Sequence, residues 1–285
     1  ANVDVMSNSW GLPSFLFALL PGDPAIVEQA IDEAATLGRN GKGVAQVFSS
    51  GNEGNDPIWP SSLPNTIAVN STSMCDEAKT ENSCDGESWW AGNYDKQLTF
   101  SAPGVKMFTT DISGSQGYHG SNYTASFNGT SSACPNAAAV FALLYSLRPD
   151  LTFADATYLL SATADTVGGY DYSIIKNNLV WSRELGHGRL NAYKALTEAQ
   201  NYNVSTPSLK ATTMGLYPNP AGHSITVTGI TAPASIKLYD AAGKMVLQKA
   251  VQQAGIIDIS TLAPGVYYYH LRQDEQRHTG KLAVF

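Results

Sequence analysis

The sequence predicts an α/β fold, a doubly wound and mostly parallel sheet over residues 1–200, followed by a small all-β antiparallel sandwich over residues 214–285. Three observations predict it. Apolar strand-like runs alternate with helix-period segments through the first two hundred residues, as βαβ units do. From Leu216 onward, short alternating runs are separated by turn residues, the pattern of a sandwich. Between them the polar stretch 201–213 reads as a linker, and charge changes sign near it: residues 1–206 carry a net −10 and residues 207–285 a net +3.

The chain opens at Ala1 without an initiator Met or a basic and apolar leader, and passes at once into the strand Val3 to Met6. The expectation is therefore a domain whose first part lies upstream. A covering helix follows: Asp23 suits the N-cap, Pro24 the first helical position, and Ile26, Ala30, Ile31, Ala34 and Leu37 recur at helical spacing before Gly38. Strands are expected at Val44 to Phe48 and Thr66 to Asn70. The loop Ser49-Ser50-Gly51-Asn52-Glu53-Gly54 leaves the first of these two at its carboxyl end, where open α/β sheets place ligands. Asn52 there is either a turn residue or an amide that donates to a developing oxyanion. Further on, Phe127-Asn128-Gly129-Thr130-Ser131-Ser132-Ala133-Cys134-Pro135 leads into the apolar run Ala137 to Leu147. Proline is tolerated in a helix's first turn, so the helix is expected to begin near Ser131. Ser131 is then either a plain N-cap or a nucleophile at the positive end of the helix dipole. In the sandwich, strands are expected at Ser224 to Val227, Ser235 to Tyr239, Met245 to Lys249, Ile256 to Ile259, Val266 to Leu271 and Lys281 to Phe285. The run Tyr267-Tyr268-Tyr269 reads as core packing plus a solvated face, with a sugar-stacking platform as the alternative.

Composition excludes several classes. With 17 Lys plus Arg against 24 Asp plus Glu, the net charge of −7 argues against a nucleic-acid partner. No run approaches the roughly 18 apolar residues of a membrane span. No phosphate-binding glycine loop, zinc spacing or dinucleotide fingerprint is present. Cys75 and Cys84 are expected to pair as a disulfide if the protein is exported, and Cys134 is expected to be a buried small residue. The loop around them carries Asp76, Glu77, Glu81, Asp85 and Glu87. It reads as a solvated loop, with calcium binding through carboxylate oxygens as the alternative.

Gly51-Asn52-Glu53-Gly54 and Gly129-Thr130-Ser131-Ser132-Ala133-Cys134-Pro135 together resemble, in order, the oxyanion-Asn and nucleophile-Ser motifs of subtilisin-like serine proteases. Val3-Asp4-Val5-Met6-Ser7-Asn8-Ser9-Trp10-Gly11 is similar to that family's substrate-binding strand, in wording nearest its kexin-like branch. Pro64 to Val69, Ser101 to Val105, Arg148 to Thr152 and Gly186 to Ala192 resemble its framework and closing segments. The resemblance spans residues 1 to about 200 and corresponds to the second half of such a domain. It implies an endopeptidase in which Ser131 attacks the peptide carbonyl and Asn52, with the Ser131 N–H, stabilises the oxyanion. It implies that Ser9, Trp10 and Gly11 form one edge for an extended peptide and Ser49, Ser50 and Gly51 the other. Trp10 either shapes a pocket or packs. No cofactor is implied for the chemistry, and structural calcium is left open.

The family supplies its Asp and His before the Asn motif, whereas here no His precedes His119, and neither Asp4 nor Asp23 has the family's setting. The expectation is that this chain alone lacks the Asp and His of the triad and is inactive. The alternative from another class is a catalytically inactive scaffold that binds peptides or surface partners. Leu216-Tyr217-Pro218-Asn219-Pro220, Lys237 to Lys244 and Asp258 to Tyr268 resemble the C-terminal sorting domain of the Bacteroidetes type IX secretion system. That implies a secreted or cell-surface protein handled by the type IX machinery. A carbohydrate-binding or adhesion module is a third reading of the same segment.

Overall fold

The computed structural model describes residues 3–13, 16, 24–203, 215–230, 232–252, 255–273 and 276–285. The chain divides into two compact units, Ala1–Val204 and Ser205–Phe285. Asp23 and most of the expected linker, from 204 onward, lie outside the described residues.

In the first unit the strands are β1 (Val5–Asn8), β2 (Ala45–Ser49), β3 (Ile67–Thr72) and β4 (Leu98–Pro103). They form one sheet in that order, each neighbour parallel. β2 and β3 are buried along their whole length, because a parallel sheet is covered on both faces. Alternation sorts their side chains: Ala45, Val47, Ile67, Val69, Phe100 and Ala102 join the main core, while Ala68 and Leu98 pack with Trp181 in a separate cluster.

The helix α1 (Pro24–Gly41) loses helical geometry at Gly38, and Arg39 and Asn40 adopt left-handed angles. Of its expected apolar stripe only Ile31 is buried and Ala34 half-buried; Ala30 is exposed and Ile26 and Leu37 are 59% and 48% exposed, while Ala35, outside the stripe, is buried. After β4 comes the hairpin of β5 (Met107–Thr110) and β6 (Tyr123–Phe127), which runs into α2 (Thr130–Leu147). α2 lies across all four parallel strands and supplies Ala133, Ala137, Phe141 and Leu144 to the main core. α3 (Phe153–Ala162) starts with a reciprocal cap between Thr152 and Asp155. A short hairpin of β7 (Ile174–Lys176) and β8 (Leu179–Trp181) and the helix α4 (Ala192–Asn201) complete the unit.

The second unit has strands β9 (Gly215–Tyr217), β10 (Ser224–Thr228), β11 (Ala234–Tyr239), β12 (Met245–Val251), β13 (Ile256–Asp258), β14 (Gly265–Gln273) and β15 (Gln276–Val284). They form two antiparallel sheets, β13-β10-β9 and β12-β11-β14-β15. Ile225, Val227, Ile236, Leu238, Ile257, Leu271 and Leu282 fill the core. In β14 the tyrosines divide by pleat: Tyr267 and Tyr269 are buried, Tyr268 is 44% exposed. Tyr269 stands opposite Gly280, where a Cβ would lie 2.6 Å from the tyrosine oxygen, so the glycine makes room for the ring. No helix of the described residues is long and apolar enough to cross a membrane.

Candidate active site

The two motif loops meet at the amino end of α2. Gly129 precedes the helix with φ 103°, a region that favours glycine, and its own side gives no cap. The cap comes instead from 78 residues away, where the Thr130 N–H donates to Asn52 Oδ1 at 2.9 Å. An N–H can only donate, so the oxygen of the Asn52 amide faces the helix and its Nδ2 is directed elsewhere. Thr130 Oγ1 lies 3.0 Å from the same Oδ1 and 3.1 Å from the Gly51 carbonyl, and accepts from the Gly51 N–H. Ser132 Oγ sits 2.9 Å from both the Gly104 and Gly129 carbonyls. Thr130 and Ser132 are buried, and Ser131 between them is half-buried. Among the described residues no partner is hydrogen-bonded to the Ser131 hydroxyl, the Ser131 N–H or Asn52 Nδ2.

The helix begins at Thr130, so Pro135 stands in its second turn and not in the first turn that the sequence suggested. The reason it is tolerated is local. The carbonyl it leaves without a helical donor, that of Ser131, accepts from Ser9 Oγ at 2.8 Å.

The loop after β2 is built around one residue that sequence reasoning missed, the buried Asn93. Its Oδ1 accepts from the N–H groups of Glu53 and Asn55, and its Nδ2 lies within 3.1 Å of Ser50 O, Glu53 Oε2 and Asp56 O. Gly51, at φ 115°, brings its Cα so close that a Cβ would be 2.2 Å from Asn93 Nδ2. In the sequence, Gly92-Asn93 looks like any turn, and only the fold brings it 40 residues back to this loop.

The expected substrate edges differ in kind. Ser9, Trp10 and Gly11 continue past the end of β1; Ser9 is exposed, Trp10 is 47% exposed and Gly11 is half-buried. Trp10 sets its edge against Phe48 and Trp59, with centroids 5.5 and 6.0 Å apart, and its Nε1 donates to Asn8 Oδ1. It is therefore both packed and open to solvent. Ser49 and Ser50 are buried. The Ser50 N–H donates to Val69 O, its carbonyl accepts from Ile58 N, and the Gly51 carbonyl accepts from Asn93 N. That edge can wall a pocket, but its paired backbone is not free for strand addition.

The acidic loop is only in part the solvated loop expected: Glu77 and Glu81 are exposed and Asp76 is half-buried, but Asp85 and Glu87 are not. Cys75 and Cys84 are disulfide-bonded. Lys79, Asp85 and Glu87 are buried, with Lys79 Nζ 3.4 Å from Asp85 Oδ1. Lys79 Nζ also donates to the Thr80 and Glu87 carbonyls, and Glu87 accepts from Trp90 Nε1 and Asn128 Nδ2. Asp76 pairs with Arg189. The ammonium and hydrogen-bond donors engage Asp85 Oδ1, both Glu87 oxygens and Asp76, whereas Asp85 Oδ2 is buried without a partner; among the described residues no group of three or more acidic, His or Cys side chains is arranged around a metal position. Cys134 is fully buried below Ser131, and burial raises its thiol pKa. The histidines lie elsewhere: His119 bonds Ser121 on the exposed tip of the β5–β6 hairpin, and His187 is buried on the Val180 carbonyl with its pKa lowered by burial.

A family model described as the subtilase family matches residues 1–188. The chain belongs to the subtilase family. A second model, described as a secretion system C-terminal sorting domain, matches residues 215–284. The subtilase chain is 31% identical over 218 residues to a protein of Nostoc sp. named calcium-dependent protease, an alignment covering 68% of this chain and 31% of that protein. It is 31% identical over 219 residues to the dibasic-processing endoprotease of Yarrowia lipolytica, covering 70% of this chain and 21% of that one. The chain thus spans a third or less of these relatives. The crystal structure of the serine protease of Aeromonas sobria shares its fold, with a TM-score of 0.57 at 17% identity over 98% of this chain and 68% of that chain.

Proposed function

We propose that this subtilase chain is part of an exported serine endopeptidase that hydrolyses peptide bonds through an acyl-enzyme on Ser131. Ser131 Oγ attacks the scissile carbonyl, the leaving amine departs, and water then releases the acyl group. Asn52 Nδ2 and the Ser131 N–H donate to the oxyanion. The observation that carries this reading is the anchoring of the Asn52 amide oxygen on the Thr130 N–H, one residue before Ser131, with no partner on its Nδ2 among the described residues. It is supported by the commitment of the neighbouring hydroxyls, Thr130 and Ser132, to backbone carbonyls. The base and its orienting carboxylate come from residues outside this sequence, since His119 and His187 are engaged on the hairpin tip and in the interior. An extended protein or peptide substrate lies along Ser9, Trp10 and Gly11, with Ser49, Ser50 and Gly51 behind the cleaved bond. The sorting domain directs the protein through the type IX machinery to the cell surface or the medium, which agrees with the disulfide.

Labelling with a fluorophosphonate probe tests the proposal. The protein expressed from its complete reading frame should label, Ser131→Ala should not, and the 285-residue chain alone should not. A folded, mature protein that fails to label would replace the enzyme with a peptide-binding scaffold.

A further inference from the structure

Pro135 has no N–H, so the Ser131 carbonyl four residues earlier lacks its i+4 helical donor in α2. Ser9 supplies the missing donor at 2.8 Å across 122 residues of sequence. One strand repeat earlier, Ser7 Oγ lies 3.7 Å from Cys134 Sγ. Ser7 and Ser9 are two apart on an extended strand and share a face; Ser131 and Cys134 are three apart on a helix and share a face. The carboxyl end of β1 is thus attached by two rungs to the first turn of α2.

We propose that Ser9 is a positioning residue for Ser131, its side chain holding the nucleophile's own carbonyl; this rests on the reading of Ser131 as the nucleophile. Fixing that carbonyl fixes the plane of the Ser131–Ser132 peptide, because the peptide unit is rigid. The direction of the Ser131 Cα–Cβ bond is then set relative to β1. Ser9, in the segment that receives the substrate in this reading, therefore also holds the group that attacks it. Small errors in that distance are costly, since attack requires a near-contact arrangement. The regular helical ladder cannot do this by itself, because the proline has removed the i+4 donor. Ser9 acts through Ser131 and needs no contact with the reacting atoms.

The test uses the protein from its complete reading frame, with peptide-substrate kinetics, fluorophosphonate acylation rates and a melting temperature for each variant. Ser9→Ala should lower kcat and the limiting acylation rate about five- to tenfold, the worth of one neutral hydrogen bond, with KM unchanged. Ser9→Thr, which keeps the hydroxyl, should restore both. Pro135→Ala restores an N–H that can reach the Ser131 carbonyl, so Ser9→Ala should cost much less in that background. The positioning role is overturned if Ser9→Ala matches the parent, if Ser9→Thr is as slow as Ser9→Ala, if the loss appears in KM alone, or if the penalty is the same with Ala at position 135. Each of those results leaves the nucleophile reading standing as long as Ser131→Ala abolishes labelling. Labelling that survives Ser131→Ala overturns both.

Discussion

Two polar loops of the subtilase unit look alike in composition and are built on opposite principles. The loop after β2, residues 50–56, closes on the neutral amide of Asn93, which bonds four backbone groups and the Glu53 carboxylate. The loop from Cys75 to Glu87 closes on charge, with Lys79 and Asp85 both out of solvent and a disulfide around them. A neutral hub needs no buried counter-charge to satisfy backbone groups, and Asn52 at the loop's rim turns its oxygen to the helix terminus. A buried ion pair turns its groups inward, and of the carboxylates that suggested a cation site Asp85 is drawn to the chain's own ammonium through Oδ1. Polar composition alone does not tell a site from a structural plug; the direction in which the polar atoms are satisfied does.

The largest test of that contrast is Lys79→Met. It leaves Asp85 buried and without its counter-ion, and should destabilise the protein by about 3–5 kcal/mol in denaturant unfolding. Combining it with Asp85→Leu should recover most of the loss, because a well-packed apolar pair can replace a buried ion pair. If the single change is harmless, the pair does not hold the loop. On the neutral side, Asn52→Ala should leave folding nearly intact and slow acylation about 100- to 1,000-fold, the loss known for this donor in subtilisin itself. A collapse of stability instead would make Asn52 a cap and nothing more.

The smallest effect is electrostatic and belongs to the ion-pair network that reaches the charged loop through Asp76. Asp76 is tied to Arg189, which is shared with Asp165, and Asp165 also accepts from Lys194 and Asn191. The hydrogen bond from Lys194, with those from Arg189 and Asn191, holds the Asp165 carboxyl down to about 2. A folded value below the ordinary one of about 4 means that this stabilisation is complete above about pH 4 and is lost as pH falls toward 2. Asp165→Asn should therefore lower the melting temperature at neutral pH, and the gap to the parent should close between pH 4 and 2. A gap independent of pH would show that the contribution is not ionic.

Much of the fold was legible because it rests on periodicity. The runs around Val47, Val69, Ile236 and Tyr269 carry strand patterns that short-range physics reads directly, and they are strands in the structure. The hairpin of β5 and β6 and the strand β4 were not read, since their exposed or mixed residues give no clean alternation. Ile26 and Leu37 failed for a related reason: period identifies a face, but the extent of the neighbouring sheet decides how much of that face is covered.

The sequence by itself determined the fold class of each segment, the identities of Asn52 and Ser131 as a motif pair, and the cysteines available to pair, because these depend on local residue order. Only the tertiary structure decided that Asn52 caps α2 with its oxygen, that Asn93 holds the loop, that Lys79 neutralises Asp85, and that Ser9 compensates for Pro135. Each of those is a hydrogen bond or ion pair between residues distant in sequence or hidden by burial. Its existence depends on which polar groups folding removes from water and must satisfy, a requirement that no local pattern encodes.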